Sequence, residues 1–155
     1  MPTAPRVTLR EITADTVLAV TRLATHEAQR AFVAPNAVSL AEALFAPEAW
    51  YRAIHSDDEL AGFVMLYDET LRARPPGRPE LWVWRLMVDA RFQRRGVGRG
   101  AMERVIELAR LRGAPLLQLS YVAQEGGPEA FYLGLGFRPT GRTFDGETVL
   151  ELPLA

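Results

Sequence analysis

The 155-residue sequence predicts an α/β domain of the α+β kind, built on a mixed, mostly antiparallel sheet of about six to seven strands with one parallel pair. Three observations predict it. Residues 81–88 and 116–122 are short, apolar, β-rich runs on either side of a helical pattern over 101–112, and such a βαβ unit makes a right-handed crossover between parallel strands. Residues 51–55 and 60–67 flank the polar stretch Ser56-Asp-Asp-Glu59, as the arms of an antiparallel hairpin do. Residues 137–140 and 146–152 can close the sheet as a further antiparallel pair.

The other elements follow in order. Residues 7–12 alternate like a half-buried strand, Thr13-Ala-Asp15 supplies cap-type side chains, and Val17, Leu18, Val20 and Leu23 recur at helical spacing, predicting a first helix to about Gln29. Phe32-Val-Ala-Pro-Asn36 breaks it, because proline disfavours helical geometry in the residue before it. Ser39-Leu-Ala-Glu42 has the spacing of a capping box and predicts a short second helix that Pro47 closes. Asp57, Asp58 and Glu59 fall in the hairpin turn and read as solvated carboxylates. The proline-rich segment 71–79 cannot be a central strand, so it is a loop and a candidate gate. The helix over 101–112 stops at Gly113-Ala-Pro115, and Pro128 introduces a short helix over 130–135 that Gly136 ends. There is no internal repeat, and residues 1–155 read as one domain.

The most informative stretch is Asp89-Ala-Arg-Phe-Gln93-Arg-Arg-Gly-Val-Gly98-Arg-Gly100, where the apolar strand runs into a glycine-punctuated loop that opens a helix near Gly98. The first turn of a helix leaves backbone N–H groups without partners, glycines let a ligand approach the main chain, and Arg94, Arg95 and Arg99 add charge. Gln93, Arg94, Arg95, Gly96, Val97, Gly98, Arg99 and Gly100 therefore form a candidate phosphate or pyrophosphate cradle. The competing reading is a helix that starts after a glycine turn, with its arginines in solvent. The spacing does not fit a dinucleotide fingerprint, and a P-loop needs a lysine, which this chain lacks altogether.

Composition narrows the classes further. A net charge of −1 argues against general nucleic-acid binding, although arginines gather around 91–112. Zero cysteines exclude disulfides and thiol nucleophiles, and two isolated histidines, His26 and His55, predict no metal centre. No apolar run is long enough for a membrane span, and Met1-Pro-Thr-Ala-Pro5 lacks a leader-peptide core, so no membrane partner and a cytoplasmic location are expected.

Two motifs, in order and at the expected separation, carry a family resemblance. Gln93-x-x-Gly96-x-Gly98 resembles the acetyl-CoA loop of the GNAT superfamily of N-acetyltransferases, and Tyr132-x-x-x-Gly136-Phe137 resembles the ending of that fold. Leu9-Arg-Glu-Ile-Thr13, Phe32-Val-Ala-Pro-Asn36, Gly62-Phe-Val-Met65 and Trp84-Arg-Leu-Met-Val-Asp89 extend it toward the bacterial spermine/spermidine acetyltransferases. The resemblance implies the GNAT fold with helices on both faces of its sheet, acetyl-CoA as cofactor, a homodimer, and a small-molecule primary amine such as a polyamine as acceptor. Acetylation of a protein or peptide amine, and a non-catalytic coenzyme A sensor, are the alternatives.

Role by role, the resemblance implies that backbone groups of Leu86, Met87 and Val88 pair with the pantetheine arm while the loop holds the pyrophosphate. It implies that Tyr132 protonates the departing thiolate; ordinary phenol and thiol pKa values lie within about two units of each other. Family members commonly carry a base on the central strand, where this chain has Trp82 and Trp84, so the base is open among Glu80, Glu42 and a water relay. Glu125 stands where an asparagine is common. Trp82 and Trp84 share a strand face and either pack in the core or wall an amine pocket by cation–π contact. Asn36 and Ser39 are candidate acceptor-groove residues, with helix capping the competing role for Ser39.

Overall fold

The computed structural model describes residues 3–155, so Met1 and Pro2, the start of the pentapeptide read for a leader, lie outside it. Its elements are β1 (Val7–Arg10), α1 (Val17–Arg22), α2 (Asn36–Ala43), β2 (Ala49–Ser56), β3 (Glu59–Asp68), β4 (Leu81–Val88), α3 (Val97–Leu111), β5 (Leu116–Tyr121), α4 (Glu129–Gly134), β6 (Arg138–Phe144) and β7 (Glu147–Pro153). The strands form one seven-stranded sheet in the order β1-β2-β3-β4-β5-β7-β6, with β4 and β5 its parallel pair and the other neighbours antiparallel. This is the mixed sheet the sequence predicts.

Local chemistry sets the turns. Asp57 and Asp58 both take positive φ, the backbone of a two-residue primed turn whose twist suits a tight hairpin. These carboxylates are engaged: Asp57 accepts from the Arg6 main chain, and Asp58 pairs with Arg6, just before β1, and with Arg10 at its end. Asp145-Gly146, both at positive φ, makes the same kind of turn between β6 and β7.

Apolar residues cover both faces of the sheet. On one face α3 buries Val97, Ala101, Met102, Val105 and Ala109 against Val7, Ile54, Val64, Leu81, Val83, Leu117 and Leu119. On the other, Val20 and Leu23 at the end of α1 and Leu40 of α2 pack on Ala53, Phe63, Met65 and Met87. A bulge in β4 reconciles the two layers. Met65 pairs with Arg85 while Leu66 pairs with Val83, so Trp84 is the extra residue. Leu81, Val83, Leu86 and Val88 consequently all face α3, whereas Trp84 and Met87 face the α1–α2 layer.

Two helix boundaries differ from the sequence expectation. α1 ends at Arg22 instead of near Gln29, because Leu23 turns extended and Ala24 donates its N–H to Asp89, pulling the chain toward the end of β4. α2 starts at Asn36, three residues before the proposed cap. Ser39 is therefore an interior, fully buried residue with an unpartnered hydroxyl, and caps nothing. Asn36 is buried too, its Nδ2 donating to the Val20 carbonyl at 2.9 Å and lying 3.6 Å from Met87 Sδ. That long-range bond outweighs the local capping signal.

Candidate functional site

The parallel pairing of β4 with β5 stops at Val83 and Leu119. Beyond it the strands separate, and a cleft of about 1530 Å³ opens between them. The Trp84 bulge turns the strand just there. From Trp84 to Val88 one edge of β4 pairs with β3 and the other has no strand beside it, so backbone groups of Leu86, Met87 and Val88 stand at the cleft as an unfilled strand position.

At the end of β4 the chain is pinned twice. Asp89 accepts from the N–H groups of Ala24 and Arg91 and from Arg91 Nε. Burial raises the Asp89 pKa, but the bonds from Arg91 and Ala24 outweigh it and hold the carboxyl below its usual value. Gln93 Nε2 donates to the Val88 carbonyl at 3.0 Å and to Gln29 Oε1 at 2.7 Å, tying the loop to the strand that feeds it. Arg94 (φ 62) and Gly96 (φ 84) then take left-handed conformations and swing the chain into α3, with Gly96 as its N-cap. The Arg94, Arg95 and Gly96 N–H groups have no main-chain partner among the described residues, and those of Val97, Gly98 and Arg99 lie in the first helical turn.

The two following glycines do different work. A Cβ on Gly98 would sit 3.4 Å from Phe131, beside the cleft that Gly98 lines. A Cβ on Gly100 would sit 2.5 Å from Val7 Cγ2, and the Gly100 N–H is already bonded to the Gly96 carbonyl. Gly100 is thus a packing residue under β1 and is set apart from the cradle. Arg94 and Arg99 line the cleft, Arg99 with Glu103 at 3.5 Å, whereas Arg95 stacks over Phe92 outside the lining.

Tyr132 lines the cleft from α4, packed edge-on against Phe131 and Phe137. It is 8% exposed, and burial pushes its phenol pKa well up, so it stays protonated across the working range. The same removal from water raises the basicity of any thiolate beside it, which keeps a proton transfer between them feasible.

The acceptor candidates divide. Glu42, Glu80, Trp82 and Trp84 line the cleft. Glu42 pairs with Arg85 at 3.0 Å, the Arg85 guanidinium also lies over the Trp84 ring, and Trp82 stacks on Phe144 at 5.6 Å. Asn36 and Ser39 are core residues, as described above; Glu125 is exposed and outside the lining, and the proline-rich segment also lies outside the lining, exposed except at Arg72 and Pro79. Sequence reasoning passed over Gln29, Phe32, Ser120, Tyr121, Asp145 and Glu147, which also line the cleft. Polarity alone does not flag Ser120 and Glu147, since Gln118 in β5 and Glu151 in β7 are polar as well. Neither a group of three or more metal-ligating side chains nor a helix long and apolar enough to cross a membrane occurs among the described residues.

The fold recurs in solved structures. A GNAT family acetyltransferase from Elizabethkingia anophelis with acetyl-CoA bound superposes with a TM-score of 0.68 at 18% identity, covering 96% of this chain and 99% of that one. The ribosomal-protein-S18-alanine N-acetyltransferase from Escherichia coli superposes with a TM-score of 0.67 at 19% identity, covering 96% and 94%. Among curated proteins, N-acetyltransferase 8F1 of Rattus norvegicus is 31% identical over 70 residues, 45% of this chain and 32% of that protein, so the match spans about a third of the relative's length. The model of the acetyltransferase (GNAT) family matches residues 16–137, from the start of α1 through Phe137, and takes in the cleft lining except for Phe144, Asp145 and Glu147; the chain belongs to that family.

Proposed function

We propose that the chain is an acetyl-CoA-dependent N-acetyltransferase acting on a primary amine, with residues 1–155 working as one catalytic domain. The observation that carries this reading is the parting of β4 from β5 directly before a left-handed turn into α3, with Tyr132 at the same cleft. The residues present fit coenzyme A. The unpaired β4 edge at Leu86, Met87 and Val88 suits the amides of a pantetheine arm, and the N–H groups from Arg94 to Arg99 suit a pyrophosphate. Gly98 lines the cleft without a side chain of its own, between Phe131 and Val88. A helix N-terminus stabilises an anion by about 0.3–1 kcal/mol, so affinity rests on several such donors together with Arg94 and Arg99. Acetyl-CoA supplies an activated acetyl thioester. Tyr132 holds a proton at its phenolic oxygen for the leaving sulfur.

The acceptor that the chemistry of the cleft favours is a cationic small molecule of the polyamine type. Trp82 and Phe144 bring aromatic rings to the lining, where an ammonium can meet a π-face, and Glu80 and Glu147 are lining carboxylates without an arginine partner among the described residues. A protein or peptide amine is the second reading, favoured by a cleft larger than the roughly 300–1,000 Å³ of most small-molecule sites. A homodimer is the expected assembly, with exposed Leu44 and Phe45 as apolar groups a second copy would cover. The test is incubation with acetyl-CoA and a panel of polyamines and N-terminal peptides, following thiol release. Release with spermidine alone supports the polyamine reading and release with peptides alone the second. Coenzyme A binding without release from any amine refutes catalysis and leaves a coenzyme A sensor.

A further inference from the structure

We propose that Glu147, held by Ser120, takes the proton from the acceptor nitrogen; this rests on the transferase reading above. Among the described residues four carboxylates line the cleft: Glu42, Glu80, Asp145 and Glu147. Arg85 already compensates Glu42 at 3.0 Å. Glu80 is exposed, and Asp145 is exposed at the tip of the β6–β7 hairpin. Glu147 is half-buried, and its Oε1 accepts from Ser120 Oγ at 2.9 Å, leaving Oε2 without a protein partner.

Register places this pair where the cleft opens. Ser120 directly follows Leu119, the last β5 residue paired with β4. Ser120 is opposite Val149, so Glu147, two residues earlier on β7, shares its face of the sheet. Gln118, two residues before Ser120, is opposite Trp82, which puts the indole on that face as well. Phe144 pairs with Glu147 and stacks on Trp82, so two rings wall the carboxylate. The Ser120 hydroxyl fixes the rotamer of a base that the β-hairpin alone would leave free.

The proton balance closes with these groups. An acceptor arriving as an ammonium loses one proton to Glu147 Oε2, which gives nitrogen its lone pair, and Glu147 later releases that proton to solvent. Free ammonium and carboxyl groups differ by about six pKa units, so this transfer is uphill by itself and is drawn forward by the acyl transfer that consumes the neutral amine. As the N–C bond forms and the C–S bond breaks, Tyr132 gives its proton to sulfur and regains one from nitrogen. The amide keeps the third proton.

The experiment compares wild type, Glu147→Gln, Glu147→Asp and Ser120→Ala in the full chain, with spermidine and an alanine N-terminal peptide as acceptors. Rates are followed between pH 6 and 9.5, coenzyme A binding by calorimetry and folding by thermal melting. Glu147→Gln is expected to lower kcat about 10²–10³-fold at pH 7 with coenzyme A binding and melting unchanged. The deficit should shrink as pH rises and the amine becomes neutral unaided. Glu147→Asp should recover part of the rate, and Ser120→Ala should lose about tenfold. A Glu147→Gln kcat within threefold of wild type overturns the proposal, as does a raised KM for the amine with kcat intact, which marks a carboxylate that only holds the cation. A wild-type chain that binds coenzyme A yet releases no thiol with either acceptor overturns the transferase reading, and the proposal with it.

Discussion

Gly98 and Gly100 lie two residues apart in one motif, and substituting each with alanine should separate cofactor space from packing. At Gly98 an added Cβ meets Phe131 at 3.4 Å, ordinary contact, and φ is in the normal range. Alanine is worth up to about 1 kcal/mol over glycine in a helix, so Gly98→Ala should leave stability unchanged or slightly raised while weakening coenzyme A binding at least tenfold. At Gly100 the Cβ would lie 2.5 Å from Val7 Cγ2 and 2.9 Å from Val7 Cβ, both part of a buried side chain with little room to move. Overpacking costs about 1–3 kcal/mol, an approach as close as 2.5 Å belongs in the upper part of that range, about 2–3 kcal/mol, and after a helix-propensity gain of about 1 kcal/mol about 1–2 kcal/mol of destabilisation remains. A domain of this size then melts roughly 2–8 °C lower. The cause is testable by a double-mutant cycle: in a Val7→Ala background the 2.5 Å contact with Cγ2 is gone and only the 2.9 Å approach to Cβ remains, so the Gly100→Ala penalty should shrink. Chemical denaturation reads the stabilities and calorimetry with coenzyme A the binding. A Gly100→Ala penalty undiminished in the Val7→Ala background refutes the packing argument. Loss of coenzyme A binding by a fully stable Gly100→Ala would return Gly100 to the cradle.

Tyr132→Phe keeps the apolar packing against Phe131 and Phe137, so melting and coenzyme A affinity should hold while the transferase rate falls about 10²–10⁴-fold; an unchanged rate would show that the phenol is not the acid. Asp89 has a depressed pKa in the fold, so its contribution to stability is present above its usual value near 3.8 and is lost as pH falls through the folded value. Asp89→Asn should therefore flatten the acid limb of stability below about pH 4, measured by urea denaturation against pH. Arg112 lies 3.3 Å from the fully buried carboxylate of Asp68, joining the end of α3 to the end of β3. Arg112→Ala leaves that carboxylate with only its Thr70 bonds and should cost about 3 kcal/mol in guanidinium unfolding, whereas a cost under 0.5 kcal/mol would show that Thr70 suffices.

The sequence by itself determined the sheet, its parallel pair, and the passage from β4 through a glycine loop into α3, because each depends on residues adjacent in the chain. Apolar runs, turn residues and helix starts are local signals, and an anion cradle built from successive backbone N–H groups is a local object too. The tertiary structure decided what depends on distant neighbours. α1 stops at Arg22 because Ala24 bonds to Asp89, 65 residues away, and Asn36 is a core strut because Val20 offers it a carbonyl. Gly98 and Gly100 look alike in sequence and differ only in what stands opposite them, Phe131 beside the cleft for one and Val7 for the other. The Trp84 bulge, which turns β4 where β5 leaves it, shows only in the register against β3. Ser120 and Glu147, 27 residues apart, become a hydrogen-bonded pair only when β5 and β7 align. A side chain's chemistry is written in the sequence, but its partners are set by packing across the sheet.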